Sequence, residues 1–72
     1  MKIYLNGEER TIADEESTRR FTLSALIQSL GMKPDRVAVE LNREIAPRNL
    51  WPQTELKDGD RLEIVQFVGG GE

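Results

Sequence analysis

Three stretches of the chain alternate apolar with polar residues, which is the pattern of β-strands that bury one face. They cover residues 2–6, 37–42 and 61–68. Asn6-Gly7 ends the first stretch and predicts a tight hairpin turn, because both residues tolerate a positive φ. The return strand, residues 8–12, is highly charged, as suits the edge of a sheet that must not pair with another molecule.

The apolar residues between the strands predicted at 8–12 and 37–42 have the spacing of an α-helix. They would share one face of that helix: Leu23, Leu26, Ile27 and Leu30. Thr22 is placed to cap the amino end, because its hydroxyl can accept a hydrogen bond from a free amide of the first turn. Phe21 can pack on Leu26 as a hydrophobic staple, and Gly31 can end the helix in a left-handed conformation.

The second half of the chain carries a further turn and a weaker pattern. A turn near Asn42-Arg43 leads into a short strand at residues 44–46, which Pro47 stops. Residues 48–56 are predicted to be irregular. Trp51 within them is predicted to form a lid over a small core, rather than a platform for a ligand.

This order of elements predicts an α+β fold. A mixed sheet of about four to five strands with one helix across one face is the two-layer packing that buries all the apolar stripes. The predicted core is Ile3, Leu5, Leu23, Leu26, Ile27, Leu30, Val37, Val39, Leu41, Leu62 and Ile64. Val65, Phe67 and Tyr4 are left on the open face of the sheet, where an exposed apolar patch predicts a docking site for a partner.

The chain ends in Gly69-Gly70-Gly71-Glu72, directly after the last apolar stretch. Glycine buries no side chain and loses more conformational entropy on ordering than other residues, so no packed element is expected there. We predict one domain over residues 1–68 and a flexible tail over residues 69–72. The end of that tail would enter a narrow site on another protein and react through its carboxylate. A frayed terminus is the alternative interpretation.

Composition narrows the function. The chain of 72 residues has no cysteine and no histidine, which argues against disulfides, thiolate metal sites and nucleophile–histidine pairs, and so against a self-contained enzyme. Its net charge of −3 disfavours nucleic acid as a partner. No apolar run is long enough for a signal peptide or a membrane span, so a cytoplasmic location is expected. The charged run at residues 14–20 predicts a solvated loop, with an electrostatic partner contact as the alternative.

Four segments together resemble the ThiS family, the small ubiquitin-like sulfur carriers of thiamine biosynthesis. They are Lys2–Glu8 (KIYLNGE), Val37–Asn42 (VAVELN), Leu56–Asp60 (LKDGD) and Ile64–Gly71 (IVQFVGGG). Each segment alone is a weak signal, but they occur in the family's order over nearly the whole chain. The resemblance implies the β-grasp fold, in which the first and last strands lie side by side and parallel.

The resemblance also implies a reaction. In this family an E1-like enzyme, ThiF, uses ATP and Mg²⁺ to adenylate the carboxylate of the C-terminal glycine, which corresponds to Gly71. Sulfur that originates from cysteine, through a cysteine desulfurase persulfide, then displaces AMP and leaves a thiocarboxylate. The thiazole synthase ThiG takes that sulfur. The chain would be a carrier without catalytic side chains, metal or bound cofactor, which agrees with its lack of cysteine.

Two residues depart from the family pattern. Family members usually end at the final glycine, whereas Glu72 follows Gly71 here. Glu72 is therefore expected to be removed by a peptidase, to be a residue added for expression, or to mark an inactive variant. Arg43 stands where a glycine is common, and it puts the turn type in doubt because a positive φ is unfavourable for arginine.

Three other functions stay open at the level of the sequence. A small subunit of molybdopterin synthase, of the MoaD type, shares the fold and the activated diglycine. A ubiquitin-like modifier would form isopeptide bonds with target lysines. A β-grasp binding module would keep its activity without Gly70 and Gly71.

Overall fold

The computed structural model describes residues 1–12 and 21–67. The predictions for the charged loop at 14–20 and for the glycine tail at 69–72 lie outside the described residues. The elements follow the predicted order: strand β1 (Lys2–Leu5), strand β2 (Glu8–Thr11), helix α1 (Leu23–Ser29), a 3₁₀ helix (Pro34–Arg36), β3 (Val37–Leu41), β4 (Glu44–Ile45), a second 3₁₀ helix (Arg48–Gln53) and β5 (Arg61–Gln66).

The described strands form one mixed sheet of five strands in the order β2-β1-β5-β3-β4. β5 lies in the centre, parallel to β1 and antiparallel to β3, so the first and last strands are neighbours as the β-grasp fold requires. A β1–β2 hairpin flanks β5 on one side and a β3–β4 hairpin flanks it on the other. The predicted edge position of the charged strand β2 is confirmed. The sheet confirms the predicted α+β class.

Helix α1 begins and ends where the sequence predicts. Thr22 is the N-cap, and its Oγ1 accepts a hydrogen bond of 3.2 Å from the Ala25 amide. At the other end Gly31 has a φ of 73°. The Gly31 amide donates to the Gln28 carbonyl and the Met32 amide donates to the Ile27 carbonyl, which is the Schellman pattern of helix termination. Phe21 and Leu26 are both buried, in agreement with the predicted staple.

The core lies between α1 and the sheet and is larger than predicted. Nine of the eleven predicted residues are buried, whereas Leu30 and Leu41 are only partly buried because each lies at the end of its element. Five residues join the core that the strand and helix patterns had not assigned to it: Ile12, Phe21, Ala46, Trp51 and Leu56.

Residues 48–53 form a 3₁₀ helix, so the prediction that 48–56 are irregular is wrong for its first six residues. The reason is the burial of Trp51, which is 2% exposed and whose Nε1 donates a 2.9 Å hydrogen bond to the Ala46 carbonyl. This contact holds the segment against the core. Within the segment, the Leu50 amide donates to the Pro47 carbonyl and the Thr54 amide donates to the Trp51 carbonyl. The prediction that Trp51 covers the core is confirmed.

Candidate functional site

The face of the sheet opposite α1 carries the residues predicted to dock a partner. Along β5, Leu62 and Ile64 are buried, whereas Arg61, Glu63 and Val65 alternate with them and are exposed. Phe67 continues this alternation, and its amide donates a 2.8 Å hydrogen bond to the Arg36 carbonyl, which extends the pairing with the β3 side. Val65 is 59% exposed and Phe67 is 48% exposed. Two large apolar side chains therefore stand open on the strand that leads to the glycine tail.

Ile45 belongs to the same surface, although the sequence pattern did not identify it. It is 76% exposed and pairs with Glu40 across the β3–β4 hairpin, so it lies on the open face. Ala38 pairs with Val65 on that face. A hollow of about 220 Å³ has Ala38, Ile45 and Val65 in its lining. We call these three residues, together with Phe67, the apolar patch.

Tyr4 lies on the open face but outside the apolar patch. Its ring is stacked with the Arg61 guanidinium, whose carbon is 4.6 Å from the ring centroid. Both residues line a second hollow of about 510 Å³, and Arg43 is also part of its lining. Of the three residues predicted for docking, Val65 and Phe67 therefore share one patch, and Tyr4 belongs to the neighbouring hollow.

Glu40 and Glu63 separate these two hollows. Their Cα atoms are partners in the β3–β5 pairing, and both side chains line the apolar hollow as well as the hollow around Tyr4. The open face thus runs along β5 from Phe67 and Val65 through an acidic pair to Arg61.

Asparagine side chains fix β5 from both of its sides. Asn6 Oδ1 accepts a 2.7 Å hydrogen bond from the Ile64 amide, and Asn6 Nδ2 donates a 3.2 Å bond to the Ile64 carbonyl. On the β3 side, Asn42 Oδ1 accepts a 3.0 Å bond from the Arg61 amide. Asn42 Nδ2 also donates to the Asp60 carboxylate at 3.0 Å. The strand before the glycine tail is held along most of its length.

The described residues were compared with the requirements of a metal site and of a membrane span. Among residues 1–12 and 21–67, no group of three or more acidic side chains is placed to hold a metal ion. No helix in this part of the chain is long and apolar enough to cross a membrane. The residues predicted to react, Gly71 with Gly69 and Gly70 before it, lie outside the described residues.

Comparison with known proteins gives the family. The model of the ThiS family matches residues 3–71. The chain is 45% identical over 71 residues to a thiazole synthase of Paramagnetospirillum magneticum, covering 99% of the chain but only 20% of that longer protein. It is 33% identical over 69 residues to the sulfur carrier protein ThiS of Thermus thermophilus, covering 96% of the chain and 98% of the relative.

A solved structure agrees with these relatives. The crystal structure of the thiamine biosynthesis protein ThiS from Geobacter metallireducens matches with a TM-score of 0.80 and 33% identity, covering 99% of this chain and all of the other. The match by sequence model, by full-length relative and by structure points to one conclusion. The chain belongs to the ThiS family.

Proposed function

We propose that this chain is a sulfur carrier whose Gly71 is adenylated by an E1-like enzyme and converted to a thiocarboxylate for thiazole synthesis. The observation that carries the proposal is the family match, which extends through residue 71 and so includes all three glycines. It favours the ThiS role over that of a molybdopterin synthase subunit. A relative named sulfur carrier protein ThiS supports the same role.

The proposed partners follow from the steps of this chemistry. An E1-like, ThiF-type enzyme supplies the adenylation site and uses ATP and Mg²⁺, so the carrier itself needs no bound cofactor. A cysteine desulfurase supplies the sulfur, and a ThiG-type thiazole synthase consumes it. The relative named thiazole synthase, one fifth of which this chain matches, supports a link to the last of these enzymes.

The reaction explains why glycine is suited to the tail. A Gly71 carboxylate oxygen attacks the α-phosphorus of ATP and releases pyrophosphate, which turns a poor electrophile into an acyl adenylate. The outer sulfur of a persulfide then adds to the carbonyl carbon and AMP leaves, which forms an acyl disulfide. Attack by a thiol on the sulfur that the persulfide donor carries breaks the S–S bond, forms a new disulfide with the donor and releases the thiocarboxylate. Glycine has no Cβ that would hinder this approach or the passage through a narrow channel. No side chain of the carrier takes part in bond making.

The same chemistry requires that Gly71 carry a free carboxylate. In the sequence as given, that carbonyl forms an amide with Glu72, which is a much poorer electrophile. Hydrolysis of this peptide bond would release the reactive group. Activation of Glu72 itself is disfavoured, because its charged side chain would enter a channel suited to glycine and lie near the phosphates of ATP.

Docking is assigned to the open face of the sheet. Val65 and Phe67 present apolar surface on the strand that precedes the tail, and Tyr4 lies beside them in the next hollow. A partner seated there would hold the domain while the tail reaches its active site. Gly69 and Gly70 form the segment that would thread the channel.

The test is mass spectrometry of two chains, one ending at Gly71 and one that keeps Glu72. Each is incubated with a ThiF-type enzyme, ATP, Mg²⁺ and a sulfur donor. Exchange of oxygen for sulfur should raise the mass by about 16 Da in the shorter chain only, because activation needs an unhindered glycine carboxylate. Omission of ATP is the control. No mass shift in either chain would contradict the proposed function, and equal conversion of both would contradict the role given to Gly71.

A further inference from the structure

Glu40 and Glu63 form a like-charged pair at the centre of the open face. They are exposed and are direct partners in the antiparallel β3–β5 pairing. At the two ends of this strand pair, the Phe67 amide donates to the Arg36 carbonyl and the Asn42 amide donates to the Arg61 carbonyl, so both end positions are hydrogen-bonded. Because hydrogen-bonded positions alternate along such a pair, Glu40 and Glu63 share a hydrogen-bonded position, with their Cα atoms about 5.5 Å apart. Like charges directly opposite each other destabilise a sheet.

No cation of the described chain neutralises this pair. Arg61 follows Glu63 on the same face, but its guanidinium is stacked with the Tyr4 ring. Arg43 lines the hollow that the pair borders. Neither arginine comes within ion-pair distance of Glu40 or Glu63, and the ion pair that the described residues do form on this face joins Lys2 to Glu9. Among the described residues, these two like charges therefore face each other across the strand pair without a cation as their partner.

The position of the pair makes it a feature that any docked partner must meet. Both glutamates line the hollow of the apolar patch, beside Ile45 and Val65. A partner that covers the patch removes water from the two carboxylates. Desolvation of two like charges without a counter-charge is strongly unfavourable, whereas a cation between them donates charge-assisted hydrogen bonds to both carboxylates.

We propose that the adenylating enzyme inserts an arginine or lysine side chain between Glu40 and Glu63 while its apolar residues cover the apolar patch. This inference rests on the proposed function, because it takes the enzyme that receives the tail as the occupant. The patch is placed for that enzyme, since Val65 lies on the last strand and Phe67 directly follows it, just before the tail. The net charge of the chain, −3, also favours a partner whose contact surface is basic.

The arrangement predicts opposite effects on folding and on binding. Replacing the pair by glutamine removes the repulsion and should leave the chain as stable as before or slightly more stable. The same change removes the anchor for the partner's cation and should weaken docking. A purely structural role for these side chains would not produce this combination.

The experiment compares the wild-type chain with Glu40→Gln/Glu63→Gln and with Glu44→Gln as the matched control. Glu44 is exposed and pairs with Leu41, so it projects from the opposite face of the sheet. All three chains end at Gly71, and pyrophosphate release by a ThiF-type enzyme is measured against carrier concentration. We expect KM for the double variant to rise about tenfold with kcat nearly unchanged, and KM for Glu44→Gln to match wild type. Urea denaturation of each variant checks the fold.

Salt provides a second measurement on the same samples. At about 0.5 M salt the KM of the wild-type chain should approach that of the double variant, because added ions screen the attraction. A double variant with a wild-type KM would overturn this inference while leaving the proposed function standing. A wild-type chain that is not activated at all would contradict the proposed function and the partner named here with it.

Discussion

The two hairpin turns share positive φ angles and a first asparagine but differ in their second residue. Asn6-Gly7 joins β1 to β2 with φ values of 50° and 84°, and Asn42-Arg43 joins β3 to β4 with φ values of 52° and 72°. Both are two-residue loops with the positive φ angles of a type I′ turn. Glycine adopts this conformation freely, whereas for arginine it costs about 1–2 kcal/mol.

The comparison shows that the second residue of the turn does not by itself determine the backbone conformation. The strands on either side of Asn42-Arg43 and the hydrogen bonds of Asn42 to Arg61 and Asp60 hold the loop in place. The sheet therefore forces Arg43 into a conformation that the residue disfavours. The doubt that the sequence raised about this turn is resolved, because Arg43 adopts a positive φ.

The largest expected effect is a loss of stability on replacing Asn6, the first residue of the first turn, and it should exceed the loss on replacing Asn42 in the second turn. Asn6→Ala removes two partly buried hydrogen bonds to Ile64, so we expect the free energy of unfolding to fall by about 2–3 kcal/mol. Asn42→Ala removes exposed bonds that water can replace, and about 1 kcal/mol is expected. Both changes remove an asparagine from a positive φ, so the difference isolates the contacts. Urea denaturation measures it, and a loss for Asn42→Ala as large as that for Asn6→Ala would contradict this account.

Exchanging the second residue of the first turn should reproduce the strain of the second turn. Gly7→Arg is expected to destabilise the chain by about 0.5–1 kcal/mol, because the cost of a positive φ for arginine is partly offset by the smaller freedom of arginine in the unfolded chain. A Cβ at Gly7 would have no neighbouring atom within 4 Å, so the loss would come from the backbone and not from a clash. Thermal or urea denaturation gives the value. If Gly7→Arg caused no measurable loss of stability, the energetic cost assigned here to a positive φ at arginine would be contradicted.

The reverse exchange should stabilise the chain. Arg43→Gly relieves the positive φ of an arginine, and the gain is reduced by the greater freedom of glycine in the unfolded chain, which leaves about 0.5–1 kcal/mol. Arg43→Asn serves as a control that keeps a side chain at the position. A loss of stability in both variants would show that the Arg43 side chain makes a contact that outweighs the strain.

The smallest effect concerns the ion pair of the first hairpin. Lys2 Nζ lies 3.1 Å from Glu9 Oε2, and this hydrogen bond and the charge of Glu9 raise the pKa of Lys2 above 10.5. Because the folded pKa is the higher one, the stabilisation is complete below 10.5 and is lost as the pH rises through the folded pKa. Glu9→Gln should therefore be slightly less stable than the wild-type chain at neutral pH, and this difference in stability should become smaller in alkaline solution. Titration of Lys2 by NMR checks the direction, and a pKa unchanged by Glu9→Gln would contradict it.

Features set by neighbouring residues could be predicted from the sequence, and features set by distant contacts could not. The Asn6-Gly7 turn and both ends of α1 were predicted because their hydrogen bonds join residues close in the chain. The 3₁₀ helix at 48–53 depends on the burial of Trp51 against the core, which no local pattern reports.

The candidate site divides in the same way. The alternation along β5 is long enough to place Val65 and Phe67 on the open face. β4 spans only Glu44–Ile45, too short for a period to show, so the exposure of Ile45 was missed. The Glu40–Glu63 pair depends on the register between strands far apart in the sequence. The roles given to Gly69, Gly70 and Gly71 stay predictions.

The central position of β5 has a mechanical consequence. A force applied to the chain beyond Phe67 runs along β5, and the hydrogen bonds from Tyr4 to Asp60 and from Asn6 to Leu62 lie across that direction. The bonds to β1 and β3 must then yield together in shear, rather than one after another as they would in an unzipping edge strand. A pull along β5 is therefore resisted by both neighbouring strands at once.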